Sequence, residues 1–395
     1  MEYSTYPDKP ENEFDTYKHN MHFTLHLTTA CNMQCNYCYS PPIRGEEMSL
    51  EIIDHVIGLS KKFTPHNTGI IFFGGEPLLR KDLIIEAINR CRNDEKINGS
   101  SFHFKVTTNG LLLDEAFLEM AQKNRLQVAL SFDGIQSAHN THRKTASNQP
   151  TFEIVEKKLQ LLLSYQPYAY VFMTVTPETV EHYSESFSFF IEKGVRYVIS
   201  SLNYAGDWSP TALNQLKKEY KKLSKTYERL TLEGKKFYFS PFEKKFASHI
   251  QGKDALCLQC AFGIKQISIA PDGLIYPCVQ FVKDGVSNKE FSIGDVWNGI
   301  DTSKQKKLYK QSRGENENCK ECALTYRCEH RCSCLNWQTT GDIDEVSPLL
   351  CETERMLIPI VDKLGEKLYR KRVPIFIQKH YNKAYPILSY IEDRI

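Results

Sequence analysis

The sequence predicts an α/β protein in which a partial (βα)6 barrel of the TIM type is followed by a smaller, cysteine-rich C-terminal domain. Six short apolar runs alternate with amphipathic stretches over roughly residues 20–232. Behind them the periodicity breaks, and cysteines crowd between Cys257 and Cys351. A chain of 395 residues is longer than one compact domain usually is. A doubly wound sheet gives a similar one-dimensional pattern and stays open as an alternative.

The expected strands are short apolar runs bounded by turn-forming residues. The first strand, 22–29, alternates apolar and polar residues and opens into a loop at Cys31. Five more strands are expected at 69–75, 102–108, 126–132, 169–175 and 196–202. Ser49 is expected to cap a helix that runs to about Phe63. Further helices are expected to begin near Lys81, Asp114, Phe152 and Val180, and a long charged helix to cover 208–232.

Four segments follow from this pattern. They are a polar N-terminal segment (1–20), the barrel (21–235), the cysteine-rich domain (236–352) and a C-terminal helix with a basic, aromatic tail (353–395). The tail from Arg370 to Tyr390 is either a docking surface or a solvated helix.

Charge and cysteine content narrow the class of protein. Fifty basic and 48 acidic side chains give a net charge of +2, so we expect neither nucleic acid nor a membrane as partner. The N-terminal segment has no apolar stretch typical of a signal peptide or spanning helix, which predicts a cytoplasmic protein. In that reducing compartment, 13 cysteines are expected to bind metal rather than to form disulfides.

The first cysteine cluster, Cys31-x3-Cys35-x2-Cys38, places three thiolates on one loop after the first strand. A four-iron cubane held by three cysteines keeps one iron open to a small molecule, whereas a four-ligand structural site is closed. A zinc knuckle is the alternative, although no nearby fourth Cys or His completes it. With Tyr37 before the third cysteine, the loop resembles the signature of the radical SAM superfamily.

That resemblance implies a [4Fe–4S] cluster whose open iron binds S-adenosylmethionine, and one-electron cleavage to a 5′-deoxyadenosyl radical. Gly74-Gly75-Glu76-Pro77 looks like the family's GGE element, which receives the methionine ammonium. Arg143 either contacts the methionine carboxylate of S-adenosylmethionine, since a guanidinium donates two parallel hydrogen bonds to a carboxylate, or is an exposed loop residue. The implied cofactor-binding residues are Tyr37, Gly74, Gly75, Glu76, Pro77, Thr108, Asn109, Ser131, Arg143 and Val175.

The second cysteine cluster resembles the SPASM extension of radical SAM proteins, which carries two further [4Fe–4S] clusters with four thiolates each. The resemblance implies Cys257, Cys260, Cys278 and Cys332 for auxiliary cluster I, and Cys319, Cys322, Cys328 and Cys351 for auxiliary cluster II. Either Cys257 or Cys260 satisfies the spacing to Gly273 in this pattern. One or two zinc ribbons are the alternative to iron–sulfur clusters. A hairpin is expected before Cys278. Cys91 is expected to be buried. Cys334 is expected to be buried as well, with a spare ligand or a reactive thiol as the alternatives.

The implied activity is radical modification of a ribosomally made peptide, giving an oxidised or cross-linked (thioether or C–C) product. Sulfatase-maturing relatives carry an aspartate base after the residue equivalent to Cys278; here Val279 stands there, which disfavours formylglycine formation. Candidate bases are Asp133, Asp207 and Glu178. A small-molecule substrate and a non-catalytic iron–sulfur electron carrier are the alternatives. The expected partners are a peptide or small protein substrate, an electron donor such as flavodoxin or ferredoxin, and, as one option, a separate peptide-recognition protein.

Overall fold

The computed structural model describes residues 21–40, 45–64, 67–252, 261–282, 289–314, 316–382 and 391–392. Within them, one eleven-stranded sheet runs through the molecule. Its strands are β1 (His22–His26), β2 (Thr68–Phe73), β3 (Phe102–Thr108), β4 (Leu126–Ser131), β5 (Tyr170–Val175), β6 (Tyr197–Leu202), β7 (Tyr238–Phe239), β8 (Gln266–Ile269), β9 (Leu274–Tyr276), β10 (Gly294–Asp295) and β11 (Gly299–Ile300).

The sheet is an open barrel rather than a doubly wound sheet. Strands β1 to β7 are neighbours in chain order and all parallel. A doubly wound sheet would instead reverse its strand order at a switch point. On the other side of β1 the sheet continues through β8, which is parallel to β1, into the antiparallel strands β9, β10 and β11. The six predicted strands are confirmed, and the hairpin predicted before Cys278 extends the same sheet.

Helices follow strands β1 to β7, and further helices lie in the C-terminal part of the chain. They are α1 (Leu50–Phe63), α2 (Lys81–Asn98), α3 (Glu115–Asn124), α4 (Gln136–His142), α5 (Phe152–Tyr165), α6 (Tyr183–Glu192), α7 (Pro210–Leu232), α8 (Ser240–Gln251), α9 (Thr302–Ser312), α10 (Glu317–Lys320), α11 (Ser333–Thr340), α12 (Pro348–Arg370) and α13 (Pro374–Tyr381). Ser49 Oγ accepts a hydrogen bond from Ile52 N at 3.3 Å, as expected of the cap of α1. Asp114 likewise caps α3 through Phe117 N at 2.8 Å.

The two faces of the barrel strands differ in burial. Phe23, Phe72 and Val106 point outward under the helices and are fully buried. On the inner face burial is mixed: His22 and Lys105 are only half-buried, whereas His26 is buried. This alternation with period two separates a packed outer core from a more open interior.

The described part of the predicted basic tail packs against the protein through one face of α13, while Arg370, Lys371 and Arg372 before that helix are exposed. On α13, Phe376 is 1% exposed. Lys379 forms a buried ion pair with Glu243 of α8, and its Nζ donates to the carbonyl oxygen of Phe237 at 2.6 Å.

Among the described residues, no helix is both long enough and apolar enough to cross a bilayer.

Candidate active site

The three cysteines of the first loop lie at the carboxyl end of β1, where a βα barrel carries its chemistry. Met33 N donates to Cys31 Sγ at 3.4 Å, and Asn109 Nδ2 lies 3.8 Å from the same sulfur. Burial raises the pKa of the Cys31 thiol to about 11, with smaller contributions from Glu76 and the other two cysteines. Three sulfurs on one loop, with N–H donors around them, fit the ligand set of a cubane.

Asp133 joins three groups beside this loop. Tyr37 Oη donates to Asp133 Oδ2 at 2.5 Å, Arg143 Nε donates to the same oxygen at 2.9 Å, and Thr174 N donates to Oδ1 at 2.9 Å. Arg143 is 7% exposed, so it is a buried residue and not an exposed loop arginine. Its Nη1 lies 4.0 Å from Cys35 Sγ. The guanidinium therefore faces the cysteine loop and is held in place by a carboxylate.

Glu76 ties the end of β2 to the end of β3. It is 1% exposed, and it accepts hydrogen bonds from Leu78 N, Thr108 Oγ1 and Asn109 N at 2.9, 2.7 and 2.7 Å. Burial raises the pKa of this carboxyl, and the hydrogen bonds to its charged form oppose that rise. This network fixes Asn109, which contacts the cysteine loop.

The two glycines before Glu76 are required by the protein's own backbone. A Cβ at Gly74, whose φ is +130°, would lie 2.4 Å from the carbonyl oxygen of Thr28. A Cβ at Gly75 would lie 2.2 Å from that of Ala30. The segment that leads from β1 into the cysteine loop therefore packs directly against these two positions.

Some of the remaining predicted site residues are buried or half-buried, and others are exposed. Ser131 ends β4 and is half-buried, while Pro77 begins a buried 3-10 turn. Val175 is 1% exposed and belongs to the hydrophobic core. Of the candidate bases, Glu178 is 58% exposed and lies 3.6 Å from His142 Nε2. Asp207 is exposed in the loop before α7.

His26 lies beside the predicted site residues Gly74 and Gly75, although no sequence motif marks it. It lines a cavity of about 20 Å³ with Gly74, Gly75, Ser40 and Tyr276. Its Nε2 is buried and has no hydrogen-bond partner among the described residues. Burial lowers its pKa to about 3, so the imidazole is neutral. The alternation of residues along β1, which places His26 on the inner face, is the sequence feature that could have indicated it.

The described cysteines of the second cluster come from several elements. Cys319 lies within electrostatic range of Cys322, Cys328 and Cys351. The fold thus brings Cys319 near the three other cysteines predicted for auxiliary cluster II, and a cubane takes four thiolates as ligands. Among the described residues, no three His, Cys, Asp or Glu side chains converge as tightly as a single metal ion requires.

The other predicted ligands and the two leftover cysteines complete the set. Cys278 follows β9, and Cys332 precedes α11. Cys334 is buried, and its Sγ lies 2.8 Å from Cys278 Sγ. Cys91 is 1% exposed, which confirms its predicted burial. Cys257 and Cys260 lie outside the described residues, so the choice between them stays open.

Comparisons with known proteins agree with this site. Residues 25–190 match the Radical SAM superfamily. A cysteine-type anaerobic sulfatase-maturating enzyme of Clostridium perfringens strain 13 is 23% identical over 338 residues, covering 80% of this chain and 90% of that enzyme. Native anSMEcpe with bound AdoMet and Cp18Cys peptide has a TM-score of 0.74 at 20% identity, covering 89% of this chain and 99% of that one.

A second solved structure shares the fold at lower similarity. Streptococcus suis SuiB bound to precursor peptide SuiA has a TM-score of 0.56 at 15% identity, covering 85% of this chain and 76% of that one. Both likenesses show the fold. The matched domain and the three-cysteine loop at the carboxyl end of β1 together show that the chain contains a radical SAM domain.

Proposed function

We propose that this enzyme reductively cleaves S-adenosylmethionine and abstracts hydrogen from a peptide, leaving an oxidised or cross-linked product. The observation that carries the proposal is the three-cysteine loop with Arg143, Asp133 and Tyr37 packed beside it. When bound, a [4Fe–4S] cluster and S-adenosylmethionine supply one-electron cleavage to a 5′-deoxyadenosyl radical. The chain's own residues then have to bind the cofactor, orient it and shield the reaction.

Arg143 is suited to bind the cofactor carboxylate. Its Nε is engaged by Asp133 and its Nη1 faces Cys35. Within the described chain, Nη2 has no protein acceptor, so its N–H groups are available to an anionic ligand at the open side of the cluster. Asp133 acts here as a positioning residue, since its oxygens hold Arg143, Tyr37 and the backbone of β5.

A peptide substrate is supported by the open barrel and by the comparisons. Several inner-face residues of the strands, among them Lys105 and Thr174, are only half-buried, as expected of an interior that admits a substrate. Two proteins of the same fold, anSMEcpe and SuiB, were solved with peptides bound. We further propose three [4Fe–4S] clusters, an electron donor of the flavodoxin or ferredoxin class, and the ligand sets predicted from the sequence.

Formylglycine formation is the second candidate, because sulfatase-maturating enzymes are among the relatives. The residue after Cys278 is Val279, which begins a 3-10 turn. Gln280 follows, and its Oε1 is buried without a hydrogen-bond partner among the described residues. Neither side chain can take a proton at neutral pH, so we favour oxidation or cross-linking.

Anaerobic reconstitution tests the proposal. With S-adenosylmethionine and dithionite we expect 5′-deoxyadenosine by liquid chromatography, and about twelve iron atoms per chain if three cubanes bind. Cys35→Ala is expected to abolish cleavage and to lose the iron of one cluster only. Cys91→Ala, which replaces a buried cysteine away from the loop, should keep the cleavage activity and the full iron content. Absence of 5′-deoxyadenosine from the wild type would leave an electron carrier as the better account. A cleaving Cys35→Ala variant would overturn the cluster assignment.

A further inference from the structure

An open groove lies between α7 and α12 and reaches the cysteine segment at α10. Its volume is about 910 Å³. Its lining includes three apolar residues of α12, Met356, Pro359 and Ile360. Cys319 and Cys351, two of the thiols proposed for auxiliary cluster II, line one end of it. This groove brings that cluster site to the protein surface.

The rim of the groove is basic. Lys217, Lys221 and Arg355 line it, against one acidic residue, Glu352. Lys218 and Lys225 stand exposed on the same helix, and neither forms an ion pair with any described residue.

The helical repeat explains this concentration of charge. One stripe of α7, including Leu216, Tyr220 and Leu223, is buried, and the lysines between them project outward. The whole chain carries a net charge of only +2, so the groove is a local positive field on a nearly neutral protein.

We propose that this groove docks an acidic one-electron carrier protein of the flavodoxin or ferredoxin class. Charge complementarity would orient the carrier, and the apolar residues of α12 would pack against it. A cluster held by Cys319 and Cys351 would supply a one-electron acceptor at the end of the groove. The reduced carrier would lose one electron to it, and no bond or proton would be exchanged. The inference rests on the proposed function, because it assumes that Cys319 and Cys351 bind that cluster.

Lysines of the groove should therefore control binding of the carrier. The probe is oxidised bacterial flavodoxin, an acidic protein, titrated into the reconstituted holoenzyme by calorimetry. The groove variant is Lys217→Glu/Lys221→Glu. The control is Lys123→Glu/Lys157→Glu, which makes the same change in net charge on exposed lysines of α3 and α5.

We expect the Kd to rise about tenfold or more in the groove variant, to change less than about twofold in the control, and to rise with salt in the wild type. Formation of 5′-deoxyadenosine driven by flavodoxin hydroquinone should fall in parallel, while formation driven by dithionite stays unchanged. Unaltered binding by the groove variant, equal losses in the control, or no binding by the wild type would each overturn the docking site. Absence of 5′-deoxyadenosine with dithionite would instead count against the proposed function, and the calorimetry would still decide where the carrier binds.

Discussion

Lys105 is a cation inside the barrel that the folded protein holds at a measurable free-energy cost. It lies on the inner face of β3, with its Nζ 4.8 Å from the ring centre of Phe172 and 5.2 Å from that of Tyr170. No described carboxylate forms an ion pair with it. Desolvation by burial lowers its pKa from the usual 10.5 to about 8. Lys105→Met keeps the length of the side chain and removes the charge.

The pKa sets the size and the pH range of the effect. One pKa unit corresponds to about 1.4 kcal/mol, so a pKa lowered from 10.5 to about 8 destabilises the folded protein by about 3 kcal/mol at pH 7. The cation–π contacts with the two rings offset about 1 kcal/mol of this. We therefore expect Lys105→Met to raise the free energy of unfolding by about 2 kcal/mol at pH 7.

The gain should shrink as the pH rises. Between about pH 8 and pH 10.5 the unfolded lysine keeps its proton and the folded one has lost it, so the stability of the wild type increases with pH over this window. The methionine variant has no such group, and the difference between the two proteins should vanish above this window.

Anaerobic urea unfolding, followed by far-UV circular dichroism at several pH values, measures this difference. Lys123→Met, an exposed lysine on α3, is the control, and we expect it to change stability by less than about 0.5 kcal/mol. Destabilisation by Lys105→Met at pH 7, or a difference that does not depend on pH, would refute the argument.

Three further substitutions test the packing of the C-terminal helix and the cysteine loop. Lys379→Met breaks the buried ion pair between α13 and α8 and should lower the free energy of unfolding in urea by about 3–5 kcal/mol. Lys367→Met, which removes a more exposed pair, should lower it by less than about 1 kcal/mol. Equal losses in the two variants would contradict the burial argument. Gly75→Ala places a Cβ 2.2 Å from a carbonyl oxygen of the cysteine loop and should reduce bound iron in iron assays, while Gly58→Ala, which meets nothing within 4 Å, should retain it. Asp133→Asn leaves the buried guanidinium beside it without a counter-charge and should raise the Kd for S-adenosylmethionine about tenfold in equilibrium dialysis; an unchanged Kd would exclude its positioning role.

The amino-acid sequence alone did not reveal several features of the site. Arg143 could be either a ligand contact or an exposed loop residue, and only the folded chain shows it buried against Asp133. Tyr37 was noted for its place in the cysteine loop, yet its hydroxyl bonds a residue 96 positions away. The inward position of Lys105 could be read from strand alternation, but its contact with the rings of β5 depends on the register of three strands.

The sequence by itself determined the βα order, the helix caps and the three-cysteine loop, because each is encoded by residues within one or two turns of each other. Ser49 and the apolar stripe behind it, for example, define α1 without help from the rest of the chain. The tertiary structure alone decided that β8 extends the barrel sheet beside β1, that α13 packs through Lys379, and that the lysines of α7 border Cys319. These pairings join segments far apart in the chain, and they depend on how the sheet and the helices pack, which no local periodicity specifies.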